Sequence, residues 1–282
     1  MGRRGGREPS SPQWSRRKMV ALLAMAAVTV AALVAGLVLA VVHAVNASGD
    51  GDETRVDGAV EHATGPTTEA APTGTATATE ARDGLAARPM PVVPESASRP
   101  APVSNRDPGP PIVLPRATAT GPARVPTGFR RTPEGAMAQL AAIDQTALQS
   151  GSLTGARDVI AAWAMSGGPT TTSWSGVQAV STLLSAAGLS GGGSPQLAVV
   201  LTPRMGQIKG SVGPDFVVPC LDFAVEVTLK QTARGAVADC QRMVWHRDRW
   251  MIGPGEEPAL APSVWPGTDL AIDVGWRDLR HG

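Results

Sequence analysis

The chain has 282 residues, with 25 Lys+Arg against 24 Asp+Glu, 25 Pro, 32 Gly, two Cys and no Tyr, for a net charge of +1. That composition excludes a collagen, a disulfide-dense scaffold, a coiled coil and a basic nucleic-acid binder, so no direct nucleic-acid binding is expected. The charge is unevenly placed: residues 1–19 carry +5, residues 46–130 carry −2 and residues 131–282 carry −2.

The basic head, residues 1–18, holds Arg3, Arg4, Arg7, Arg16, Arg17 and Lys18. From Met19 to Val42 the chain then runs 24 residues without a charge. At about 1.5 Å per residue a helix of that length crosses a hydrocarbon core of roughly 30 Å, so a transmembrane helix is expected over 19–43. The first charge beyond it is Asp50. The positive-inside rule therefore predicts a single-pass protein of the cell membrane with a cytoplasmic N-terminus and everything after the span outside. A cleaved signal is the competing reading, but signal peptides have an apolar run of only about 7–15 residues. Ala24, Val28, Ala32, Gly36 and Ala40 recur every four residues. Small side chains stacked in this way make a helix-packing face, for self-association or for a partner helix in the bilayer.

Residues 44–130 read as a disordered Pro/Ala/Thr-rich linker. Residues 46–130 contain 13 of the 25 prolines, and Ser15 to Gly128 contains no aromatic residue. A segment so poor in large apolar groups does not offset its ordering entropy by its own burial. Aromatics return at Phe129, and six of the seven Trp lie beyond it. A single extracytoplasmic α+β domain is accordingly expected over 131–282.

That domain begins with helical periodicity. Thr132-Pro133-Glu134 offers an N-cap, a proline at the first helical position and an early acid, followed by Met137, Leu140, Ile143 and Leu148. Ala156, Val159, Ile160 and Trp163 form a second stripe, and Val177, Val180, Leu184 and Ala187 a third. After Gly191-Gly192-Gly193 the period becomes that of strands. Two short strands are expected at 196–202 and 207–212, then a long alternating one from Leu221 to Leu229. Val237 to Trp245 returns, and a tight loop at Arg247-Asp248 sets Trp245 opposite Trp250. A last helix is expected from about Thr268 to Leu279.

Helices followed by a meander closing on Val244-Trp245-His246-Arg247-Asp248-Arg249-Trp250-Met251-Ile252 resemble the NTF2-like cone, in which N-terminal helices pack on a curved antiparallel sheet. With the membrane anchor, the chain is similar to conjugation-channel subunits of the VirB8/TcpC type. Its tail, from Gly253-Pro254 through Trp265-Pro266-Gly267-Thr268, resembles that of single-pass proteins from actinobacterial mobile elements. The resemblance implies a non-catalytic scaffold of a conjugation or secretion apparatus in the cell envelope. It implies envelope proteins as partners and no cofactor. An extracytoplasmic module for a small molecule or lipid is the alternative, and a cavity enzyme of the same fold the second.

The residues themselves offer little chemistry. His43, His62, His246 and His281 show no metal-ligand spacing, so no metal site and no catalytic residue is expected. Asp222, Glu226 and Asp239 alternate with apolar neighbours, which reads as a solvated sheet face. Cys220 and Cys240 are either bridged or buried as free thiols. With a hairpin turn near residue 232 they stand apart, and a direct bridge needs a bulge or a turn centred near Lys230. His246, Arg247 and Arg249 at the hairpin tip, with Trp265, are candidate partner contacts.

Overall fold

The computed structural model describes residues 74–282. The expected head (1–18), the span (19–43) with its face of Ala24, Val28, Ala32, Gly36 and Ala40, and the first part of the linker lie outside the described residues. Among the described residues no helix is long and apolar enough to cross a membrane.

The helical stripes form as their caps dictate. Helix α1 spans Gly74–Ala87, and α2, Pro133–Gln149, starts where the Thr132 side chain accepts the Gly135 N–H. In α3, Leu153–Trp163, Ser152 plays the same part toward Gly155. Helix α4 is Ser175–Ala186, and its cap position, Trp174, offers no side-chain acceptor.

The strands are β1 (Ile112–Leu114), β2 (Ala119–Thr120), β3 (Pro126–Thr127), β4 (Ala198–Ser211), β5 (Phe216–Thr228), β6 (Thr232–Cys240), β7 (Met243–His246), β8 (Arg249–Ile252) and β9 (Arg277–His281). Seven of them make one sheet in the order β1-β9-β4-β5-β7-β8, with β6 also paired to β5. Only the β1–β9 pair is parallel. Helix α5, Asp269–Asp273, precedes β9. The fold is therefore α+β, with helices on a curled, mostly antiparallel sheet.

Strand β5 explains the rest of the architecture, because its residues from Phe216 to Phe223 are all buried. Val217, Leu221, Phe223, Val225 and Val227 face the helical side, where Leu140 and Ile143 of α2, Ile160 and Trp163 of α3, and Val180 and Leu184 of α4 complete one core. Phe216, Val218 and Cys220 face the other way. They meet a second core whose cover is Ala86, Leu85, Met90 and Val93 from the N-terminal side and Val264, Ala271 and Trp276 from the C-terminal tail.

This second cover corrects the expected linker of 44–130. From residue 74 onward the segment belongs to the domain. Ile112, Leu114, Val125 and Phe129 are buried in the helical core, and the strap from Gly74 to Ser104 is stitched to the tail. Ala259 N–H donates to Ala86 O, Trp265 N–H to Ala97 O and Ser104 N–H to Gly267 O. The strap's few apolar side chains bury against the sheet rather than against each other, so local composition underestimates its order. Its prolines suit an extended path that makes few ladder bonds.

Smaller differences have local causes. The two strands expected at 196–202 and 207–212 are one, β4, whose register shifts between Pro203 and Met205 and between Ile208 and Gly210. The strand expected from Val237 to Trp245 breaks at Gln241-Arg242, and the expected last helix stops at Asp273, after which Gly275 at φ +92° turns the chain into β9. The loop at Arg247-Asp248 has positive φ at both residues, the conformation of a two-residue hairpin turn, and the register sets Trp245 against Trp250 with ring centroids 5.4 Å apart.

Candidate functional site

The hairpin β5–β6 pairs Thr228 with Thr232, so its turn centres on Lys230 and not near residue 232. That register sets Cys220 directly across from Cys240, and the two form a disulfide with Cα atoms 4.1 Å apart. Both are buried, and the Met90 sulfur of the strap lies 3.8 and 3.6 Å from their sulfur atoms.

The candidate partner contacts do not form one surface. Arg247 is exposed at the hairpin tip, and His246 is half-buried. The Arg249 guanidinium stacks over Trp163 of α3, 5.1 Å from the ring centroid, on the helical side of the sheet. Trp265 lies in the tail that covers the opposite face, where its N–H bonds to Ala97 O of the strap.

The expected solvated acidic face is also corrected. Glu226 does face outward and pairs with Arg234 at 2.6 Å, but Asp222 is fully buried under the second cover. Neither of its carboxylate oxygens has a hydrogen-bond partner, and burial pushes its pKa well above the ordinary range. A weak backbone contact from Val264 opposes that shift only in part.

Asp239, on the helical side, joins a cluster that no sequence spacing announces. Helix α2 brings Asp144, which lies between Leu140 and Leu148 on the buried stripe and is 3% exposed. Strand β6 brings Asp239, and the loop after β8 brings Glu257. Glu257 is firmly committed. Its carboxylate accepts from Ser175 N–H at 3.1 Å, Ser175 Oγ at 2.8 Å and Gln241 Nε2 at 2.8 Å, so it caps α4 in place of the missing side-chain cap. Gln241 Nε2 also donates to Asp239 Oδ1 at 3.2 Å.

The other two acids are left open. Asp144 Oδ2 and Asp239 Oδ2 are inaccessible to solvent and have no hydrogen-bond partner. Burial, reinforced by the neighbouring Asp239 and Glu257 charges, pushes the Asp144 pKa well up. Burial also raises that of Asp239, helped by Glu257 and opposed by its bonds to Gln241 and the Cys240 backbone, to about 8. Both acids line a cavity of about 40 Å³ whose walls include Leu148, Ala179, Leu201 and Phe223. Ser175 and Asp239 border this cavity and also an open groove of about 1100 Å³ that runs on past Glu256, Glu257 and Met90.

Such an arrangement holds protons near neutral pH and leaves one oxygen of each acid without a protein partner. The Ser175 hydroxyl donates to Glu257. Among the described residues no group of three or more His, Cys, Asp or Glu is placed to hold a metal ion. One sequence signal did exist for Asp144: it is the acid on an apolar stripe, at i+4 from Leu140 and i−4 from Leu148. The chain matches no protein-family model, no curated protein and no solved structure.

Proposed function

We propose that the protein is a membrane-anchored, non-catalytic assembly component of a conjugation or secretion apparatus. In this reading the domain is an NTF2-like cone held outside the cytoplasm. The observation that carries it is the filled interior. Between the helices and the sheet, side chains such as Ile143, Ile160, Trp163 and Phe223 leave cavities of only about 20 and 40 Å³. A lipid or a sizeable substrate has no room there, whereas the surface offers open grooves of about 720 and 1100 Å³. Recognition is thereby moved to the exterior.

Two further features fit. The Cys220–Cys240 disulfide suits an oxidising compartment, as expected for a domain beyond the membrane. The basic head and the apolar run from Met19 orient that domain outward and leave the face of Ala24, Ala32, Gly36 and Ala40 for helix association in the lipid bilayer. Crosslinking in intact membranes followed by mass spectrometry tests the proposal. Envelope proteins of a transfer machine, or a second copy of this chain, are the expected partners. Recovery of no protein partner, in cells where the chain is membrane-bound, sinks the assembly reading.

A further inference from the structure

We propose that the cavity between α2, α4 and β6 is a binding site for a primary alkylammonium group, its charge held by Asp144 and Asp239. This goes beyond the assembly reading and does not depend on it. Asp144 is 3% exposed and lines the cavity, and its Oδ2 has no partner; Asp239, half-buried, lines the same cavity with its Oδ2 also unpartnered. A buried carboxylate oxygen without a donor is costly unless something supplies one. An ammonium has three donors and no acceptor, the complement of two orphaned acceptors.

The surroundings favour that chemistry over the alternatives. Every charged residue lining the cavity or the groove is acidic: Asp144, Asp239, Glu256 and Glu257. Helix α4 points its positive N-terminus at the same place, but Glu257 takes up the Ser175 amide and hydroxyl donors, and Asp144 Oδ2 and Asp239 Oδ2 are left without partners. Arg242, between β6 and β7, packs against Gly255 and is ion-paired to Asp83. A cavity of about 40 Å³ admits an ammonium head and the first methylene. A quaternary ammonium lacks the N–H donors that the two acids call for. A divalent metal asks for six or more oxygens in the case of calcium, or an octahedral shell for magnesium. Leu148, Ala179 and Leu201 are apolar walls suited to the stem, and the shared border at Ser175 and Asp239 leads it out to the groove.

The proton balance follows from burial. The empty cavity keeps its acids protonated near neutral pH, with Asp239 at about 8. Entry of the cation releases a proton from the acid pair, to solvent. Affinity therefore rises with pH until the amine itself loses its proton near about 10.4.

Isothermal titration of the purified full-length protein with n-butylammonium chloride tests the site, run at about pH 8.5 and about pH 6.5. Saturable binding at the higher pH, at least about tenfold weaker at the lower, with proton release and no response to 1-pentanol, is the expected result. Asp144→Asn and Asp239→Asn should each weaken it by about tenfold or more while far-UV circular dichroism stays native. A second arm uses a capped Gly-Gly-Lys-Gly-Gly peptide. Binding of the peptide identifies a protein lysine as the natural source, and binding of butylammonium alone identifies a free amine. No saturable binding of either probe at the higher pH overturns the proposal. So does equal binding by Asp144→Asn, or saturation by calcium chloride in preference to the amines.

Discussion

Asp144, Asp222 and Asp239 are acids in places where a carboxylate is poorly solvated, and each has its pKa raised chiefly by burial. For a raised acid the folded chain binds more protons than the unfolded one between the two pKa values, so stability is full below about pH 4 and falls as pH rises. For Asp239 that loss runs from about pH 4 to about 8. Thermal unfolding from pH 4 to 8 is expected to show Tm falling steadily. Asp144→Asn, an isostere without a charge to bury, should raise Tm at neutral pH, change it little at pH 4 and flatten the slope. A wild-type Tm that climbs over this range contradicts the burial argument. At the same scale, Cys220 and Cys240 close a loop of the β5–β6 hairpin. Their joint replacement by Ala is expected to cost about 2–4 kcal/mol in urea titrations, with reductant having no further effect on the variant.

Among the elements, α2 depends on a tight start. An added Cβ at Gly135 collides with the Arg130 carbonyl, and Gly135 N–H is the donor to the Thr132 cap. Gly135→Ala should therefore lose about 1–3 kcal/mol by chemical denaturation, where an exposed helical glycine would instead gain from the change. The strap carries the second test. Asp83 of α1 pairs with Arg242, whose side chain is 7% exposed and lies over Phe216, 5.5 Å from the ring centroid. Asp83→Ala leaves that guanidinium buried without its counter-charge, and a loss of about 1–3 kcal/mol is expected. Hydrogen exchange should place the loss at the strap and β5. If exchange there is unchanged, the strap is not what holds the second face closed.

At the scale of the whole molecule, one sheet carries two cores. The helical core is built from α2–α4 with β1 and the segment before α2, and the opposite core from the strap and the tail. Helices α2–α4, the strand character of β5 and the Trp245–Trp250 turn were legible because their signals are local: caps, a 3.6-residue or two-residue period, and a short loop between aromatics. The strap was not. Leu85, Ala86 and Met90 lie more than one hundred residues from the β5 and β6 groups they cover, and no periodicity marks them. Asp222 and Asp239 were misread for the same reason, since alternation along β5 and β6 predicts a solvated face only if nothing lies over it.

By itself the sequence determined the basic head, the apolar run, the order of α2–α4 before β4–β8 and the starts of α2 and α5, because each depends on residues a few positions apart. Tertiary structure alone decided where the domain begins, which cysteines face each other and which acids lose water. Those outcomes depend on segments distant in sequence meeting across the sheet. The turn at Lys230 shows how little separates the two: shifting its centre by two residues moves Cys240 off Cys220, and only the paired register of the whole hairpin sets it.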